Sequence, residues 1–161
     1  RLYTTPLTAA DFIGGYALPL LPMALAQCIL TYLTAILLGL PVSVQLVWAV
    51  LLTVPGALFF IALGLLCGSV LSVKQVGGVC GALLTNLTAW LSGAWFDLDL
   101  VGGAFRTAAN LLPFSHAVEL GRAAVAGEAG ALLPHLGWVL GYAAVTAVLA
   151  VVLFLSQMRR R

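Results

Sequence analysis

Charged residues divide this chain into long apolar stretches. No Asp, Glu, Lys or Arg lies between Phe12 and Val73, within 75–96 or within 134–157. A membrane-spanning helix needs about 20 consecutive apolar residues, and a charge at its centre costs roughly 2.5–3.5 kcal/mol on insertion scales. The first stretch is long enough for two helices with a turn at 39–41. The pattern therefore predicts four spans, at 14–39, 46–71, 75–96 and 134–157.

The segment 97–133 has a different pattern. It carries most of the acidic residues and two arginines among apolar positions, so it cannot be a simple lipid-facing crossing. Its apolar residues recur at helical spacing, and Pro113 interrupts them. We predict two short helices that dip into one membrane interface as a re-entrant segment. Glu119 and Arg122, three residues apart, are expected to form a structural ion pair or, alternatively, a gate.

Basic residues indicate the orientation of the four spans. If the spans alternate, Arg1, Lys74 and 159–161 share one side of the membrane, and Arg106 and Arg122 lie on the other. Cytoplasmic loops carry the excess of Lys and Arg. Both ends of the chain are therefore predicted to be cytoplasmic, in the cytoplasmic membrane, and 97–133 is predicted to be external.

The composition agrees with an integral membrane protein. Of 161 residues, 63% are hydrophobic and 7% are charged, whereas soluble domains average about 25% charged. We predict an all-α, polytopic helix bundle that forms a single transmembrane domain over 1–161. A net charge of +2 with no basic patch argues against nucleic acid as a partner, and membrane lipid is the expected environment.

No pattern for chemistry is present. The three cysteines form no CxxC pair and lie in apolar runs, so we expect buried thiols and no metal site. There is no nucleophile motif and no GxxxxGK[ST] phosphate loop. The sequence thus predicts no catalytic residue, no enzymatic activity and no cofactor bound by this chain.

Two sets of residues inside the predicted spans need protein partners. Glycines four residues apart let helix backbones approach closely in lipid, although chance is an alternative in a glycine-rich chain. They are Gly64 and Gly68, Gly77 and Gly81, and Gly137 and Gly141. Polar side chains cluster in the third span, where they either hydrogen-bond between helices or line a substrate path. They are Thr85, Asn86, Thr88 and Ser92.

The first residues carry signals for a helix start. Thr5 precedes Pro6 as a cap, and Thr8 is followed by Asp11 at the spacing of a capping box. We expect a short cytoplasmic helix within 1–11, before the first span.

Three motifs resemble the membrane subunit of type-2 ATP-binding-cassette (ABC) transporters. Arg1 to Thr8 resembles that family's cytoplasmic loop Arg-Leu-x-Thr-Thr-Pro-Leu-Ser, and 92–96 resembles its Ser-Gly-x-Trp/Phe-Phe helix ending. Asn110 to Arg122 resembles its external segment Asn-x-Leu-Pro-x-Ser/Thr-Tyr/His-Ala-Val-Glu-x-x-Arg. The likeness covers essentially the whole chain. It departs at Gly15, where many members carry a basic residue, and at 97–105, which lacks the usual Pro.

The resemblance implies a permease subunit whose first two helices precede Arg1. It implies export of a drug, lipid, glycan or similar substrate, driven by ATP that a separate ATPase subunit hydrolyses with Mg. The residues implied for coupling to that ATPase are Thr5, Pro6, Leu7 and Thr8. Those implied for the external re-entrant motif are Asn110, Pro113, His116, Glu119 and Arg122. A homodimer or a heterodimer with a second permease is also implied.

The alternative is a small non-ABC membrane scaffold or assembly protein without transport activity. Its glycine-rich helices would bind partner helices and move nothing. A stoichiometric ATPase partner distinguishes the two hypotheses.

Overall fold

A computed structural model describes residues 9–160, and every regular element in this range is helical. The helices are α1 (Ala9–Leu37), α2 (Gln45–Val70), α3 (Val73–Gly78), a π-helical turn (Val79–Leu84), α4 (Thr85–Leu91), α5 (Leu98–Val101), α6 (Gly103–Leu111), α7 (Pro113–Ala126) and α8 (Ala129–Arg160). The prediction of an all-α membrane bundle is confirmed at this level.

Three helices are long and apolar enough to cross a membrane. They are Gly14–Leu37, Gln45–Val70 and Ala129–Gln157, with 24, 26 and 29 residues. At about 1.5 Å per residue, each exceeds the roughly 30 Å hydrocarbon core. They correspond to the first, second and last predicted spans. The last helix begins at Ala129, five residues before the predicted 134, so that Pro134 lies in its second turn.

The third predicted span, 75–96, corresponds to a helical run in three parts over 73–91. A six-residue π-helical turn separates α3 from α4. At this turn the hydroxyl of Thr85 donates to the carbonyl oxygen of Cys80, five residues back, at 2.9 Å. Such π-helical turns are rare and frequently lie at functional sites. That this run crosses the membrane stays a prediction.

Two short helices, α6 and α7, form most of the segment between the helical run and α8. The break falls at Pro113, the first residue of α7, where its missing N–H costs no helical hydrogen bond. The hydroxyl of Ser115 donates to the carbonyl of Ala109 at 2.8 Å and so satisfies the end of α6. Leu120, 1% exposed, fixes α7 against its neighbours.

The core lies where α2, α7 and α8 pack together. Small side chains let these helices approach closely, because no hydrophobic force drives helices together in lipid. Fully or nearly fully buried at this contact are Ala49, Ala62, Ala124, Val139 and Ala150. In the described part of the chain, no atom beyond the chain neighbours and the backbone of the glycine's own helix lies within 4 Å of a Cβ placed on any of the six glycines predicted to pack. Among the described residues, the small side chains buried at this contact are therefore alanines and not the paired glycines.

Candidate functional site

A polar cavity of about 330 Å³ lies where α5, α6, α7 and α8 meet. It collects three of the five acidic residues of the chain, two arginines and both histidines. Its lining residues are Gly93, Asp97, Leu98, Asp99, Arg106, Asn110, Ser115, His116, Glu119, Arg122 and His135. Four of the five residues predicted for the external motif line it, and the fifth, Pro113, is buried beside it in the first turn of α7.

Arg122 joins two of the sequence motifs. One guanidinium nitrogen lies 2.6 Å from the Glu119 carboxylate, and the other donates to the carbonyl of Gly93 at 2.8 Å. The planar fork of arginine suits two acceptors at once. The Arg122 side chain is 53% exposed and that of Glu119 44%, so the ion pair by itself contributes little to stability. The geometry attaches α7 to the turn that follows α4.

Gly93 has a backbone conformation that favours glycine. Its φ is +70°, and a Cβ placed there would lie 3.1 Å from Leu98 Cγ. Ser92, which is buried, supports the same turn because its hydroxyl donates to the Ala89 carbonyl and accepts from Ala94 N–H. The Ser-Gly pair thus holds the Gly93 carbonyl toward Arg122.

A second ion pair connects α5 and α6. Arg106 Nε lies 2.8 Å from Asp99 Oδ1, with side chains 52% and 60% exposed. Asp97 caps α5 by accepting from Asp99 N–H at 2.9 Å. This pair was not predicted from the sequence, because its members are seven residues apart and a glycine pair with positive φ, Gly102 and Gly103, turns the chain between them.

The two histidines meet across α7 and α8. His116 Nδ1 lies 2.8 Å from His135 Nδ1, and His116 Nε2 lies 2.9 Å from the carbonyl oxygen of Asn110. The Trp138 ring stacks on His116 at 5.0 Å and 10°. One turn further along α8, Tyr142 donates to the Leu111 carbonyl at 2.7 Å.

The contributions of α8 to this site were missed. His135, Trp138 and Tyr142 lie three and four residues apart, so they share one helix face. That spacing was the available signal, but their partners on α6 and α7 are set by tertiary packing.

The residues predicted for a substrate path separate into two groups. Thr85 and Thr88 line an apolar cavity of about 340 Å³ between α2 and the helical run, together with Cys67 and Cys80. Asn86 does not line this cavity, and its amide donates to the carbonyl of Ala82, in the π-helical turn of the same helical run, at 2.7 Å. Ser92 belongs to the turn beside the polar cavity.

The predicted coupling residues lie outside the described residues. Thr5, Pro6, Leu7 and Thr8 precede the first described residue, Ala9. Within 9–160, no group of three or more His, Cys, Asp or Glu side chains is placed to hold a metal ion.

Comparison with known proteins identifies the family. Residues 1–125 match the model of the protein family described as ABC-2 type transporter. The match includes all three motifs, at 1–8, 92–96 and 110–122. No curated protein and no solved structure was found to match the chain. Because the match covers well over half of the sequence, the chain belongs to the ABC-2 type transporter family and is an integral membrane protein of its permease kind.

Proposed function

We propose that this chain is part of the permease subunit of an ABC exporter in the cytoplasmic membrane. It would move a drug, lipid, glycan or similar substrate outward, and both ends of the chain would be cytoplasmic. The observation that carries the proposal is the position of Arg122. By holding the Gly93 carbonyl, it links α7 to the end of the helical run, so a movement of that run would reach the proposed re-entrant helices and the polar cavity.

The energy would come from a separate subunit. The chain carries no phosphate loop, so ATP and Mg would be bound by an ATPase partner that docks at Thr5, Pro6, Leu7 and Thr8. The chain itself would perform no chemistry. ABC-2 membrane proteins work with an ATPase partner as a rule, and this general kind of partner follows from the family.

The arrangement of α1 supports such a coupling. α1 follows the proposed docking residues directly and packs mainly on α2. None of the residues in its most apolar window is buried, and Pro19 and Pro22 interrupt its helical hydrogen bonds. The other long helices, α2 and α8, pack closely with α7. A force on the docking residues would therefore tilt α1 relative to α2, α7 and α8. Such a movement is a rigid-body transition.

The cavity beside the π-helical turn is the proposed part of the substrate path. Its wall is apolar, and Thr85 and Thr88 supply the polar groups. Ligand cavities typically combine a mostly apolar lining with a few polar groups.

A second permease, either another copy or a related subunit, would complete the path. The glycine pairs of α2, the helical run and α8 are open within the described chain, which supports contacts with another subunit.

The test is an affinity pull-down of the full-length subunit from mild detergent, with and without Pro6-Leu7→Gly-Gly. A stoichiometric ATPase should co-purify with the unchanged subunit and be lost from the variant. The matched control is Leu40-Pro41→Gly-Gly, the same pair of residue types beyond the other end of α1.

Three outcomes separate the hypotheses. If the ATPase co-purifies with the control variant but not with the Pro6-Leu7 variant, docking at 5–8 is supported. If the ATPase co-purifies with both variants, docking at 5–8 is contradicted. Absence of any ATPase from the unchanged subunit contradicts the permease proposal and favours the scaffold alternative.

A further inference from the structure

The contact between His116 and His135 joins two separate elements. His116 lies in the first turn of α7, and His135 lies in the second turn of α8. Their Nδ1 atoms are 2.8 Å apart, and both side chains are half-buried. Neither the function proposed above nor the family match uses this contact.

The hydrogen-bond partners determine where the protons lie. A backbone carbonyl only accepts, so His116 Nε2 must carry the hydrogen that it donates to Asn110. In neutral His116, Nδ1 is then unprotonated and accepts. His135 Nδ1 must therefore be the donor, which fixes the tautomer of both rings.

The contact survives the first added proton. When His116 takes this proton, both of its nitrogens donate. His135 then moves its own hydrogen to Nε2, and its Nδ1 becomes the acceptor. The hydrogen bond between the Nδ1 atoms is kept and becomes charge-assisted.

The second added proton removes the only acceptor between the rings. Both Nδ1 atoms then carry hydrogen, and two positive charges face each other at the 2.8 Å separation of the pair. Neither ring can accept, so the contact must open.

The other charged groups around the pair have partners of their own. Histidine is the side chain whose charge ordinarily changes between pH 5 and 8. Glu119 is paired with Arg122, and Asp99 is paired with Arg106. Asp97 accepts a backbone hydrogen bond. These five groups line the same cavity from α5, α6 and α7 and include three acids and two bases.

We propose that His116 and His135 form a proton-controlled latch between the re-entrant helix and the last span. The latch holds with no added proton or with one, and the second proton breaks this link between the first turn of α7 and α8. Tyr142 keeps the end of α6 attached through the Leu111 carbonyl, so the opening is local. In the proposed orientation the latch senses external pH, but it does not depend on an ATPase partner.

Hydrogen–deuterium exchange of the full-length subunit in lipid nanodiscs tests this proposal. His135→Asn places an amide nitrogen where Nδ1 lies and cannot be protonated, so it should hold the latch at every pH. His135→Phe removes the partner and should open it at every pH. The wild type and the two variants are compared at the same pH, which cancels the intrinsic pH dependence of exchange. The measured quantity is the exchange rate of the backbone amides of 114–118.

At pH 8 the wild type should exchange like His135→Asn, and His135→Phe should exchange on the order of fivefold faster, the factor for one hydrogen bond. At pH 5 the exchange of the wild type should move away from that of His135→Asn and toward that of His135→Phe. Exchange of α2 should be the same in all three proteins, which checks the fold. If the Phe variant disturbs α2, His135→Ala replaces it.

The proposal is overturned if the exchange rate of the wild type, divided by that of His135→Asn, is the same at pH 5 and pH 8. Equal exchange rates of His135→Asn and His135→Phe at pH 8 would also overturn it, because the histidine contact would then not stabilise the first turn of α7. Neither result bears on ATPase docking, which the pull-down decides separately.

Discussion

Removing the Arg122 fork should loosen the turn after α4 far more than removing its ion-pair partner. Arg122→Lys keeps the positive charge, but a single ammonium cannot replace a planar fork that holds two acceptors. It should keep the contact with Glu119 and lose the bond to the Gly93 carbonyl. Glu119→Gln is the matched control, since it removes the ion pair and leaves the bond to Gly93 in place.

The structure sets the size of the two effects. A hydrogen bond from a charged donor contributes about 1.5–3 kcal/mol when buried, and the 53% exposure of Arg122 reduces this to about 1 kcal/mol. The Glu119 pair is half exposed, so its loss should cost about 0.3 kcal/mol. Because about 1.4 kcal/mol is a factor of ten, Arg122→Lys should accelerate opening of the turn about fivefold and Glu119→Gln less than about twofold.

Hydrogen–deuterium exchange of residues 92–98 in nanodiscs measures this opening, with α2 as the internal reference. Equal acceleration in the two variants would refute the assignment, because the ion pair would then carry the stabilisation. No acceleration in Arg122→Lys would show that the bond to Gly93 contributes nothing to the turn.

Three further changes test the packing, each read as a change in the free energy of unfolding during denaturant titration in micelles. Gly93→Ala should cost about 1–3 kcal/mol, because φ is +70° and Leu98 lies 3.1 Å from the new Cβ; an unchanged midpoint would mean that the turn has another conformation. Tyr142→Phe should cost about 1 kcal/mol by leaving the Leu111 carbonyl without its donor, and no loss would count against that bond. Leu120→Ala should cost about 2–5 kcal/mol because this side chain is 1% exposed. Leu111→Ala, at an exposed position, should cost far less. Similar losses in the two variants would contradict the buried position of Leu120.

The long helices could be predicted because their signal is local. Apolar stretches free of charge mark 14–39, 46–71 and 134–157, and each coincides with a helix that is long enough to span the bilayer. The family was likewise predictable, because its motifs are short runs of adjacent residues and the match over 1–125 includes them all. The π-helical turn left no such signal, since a shift of one residue in hydrogen bonding does not change hydropathy.

Which small residues are buried between helices was not predictable from spacing. Glycines four residues apart predicted contacts that are open in the described chain, whereas Ala49 and Val139 are fully buried. A small residue permits close approach, but it does not choose which face of the helix meets a neighbour. That choice depends on how α2, α7 and α8 pack against one another.

The sequence by itself determined that this is an all-helical membrane protein and that 97–133 is a charged, proline-broken segment between spans. These properties follow from the cost of placing charge in hydrocarbon, which acts on each residue separately. Only the tertiary structure decided that Arg122 holds Gly93, that Arg106 pairs with Asp99 and that His116 meets His135. Hydrogen bonds between residues distant in sequence depend on how the helices dock, and no local pattern contains that information.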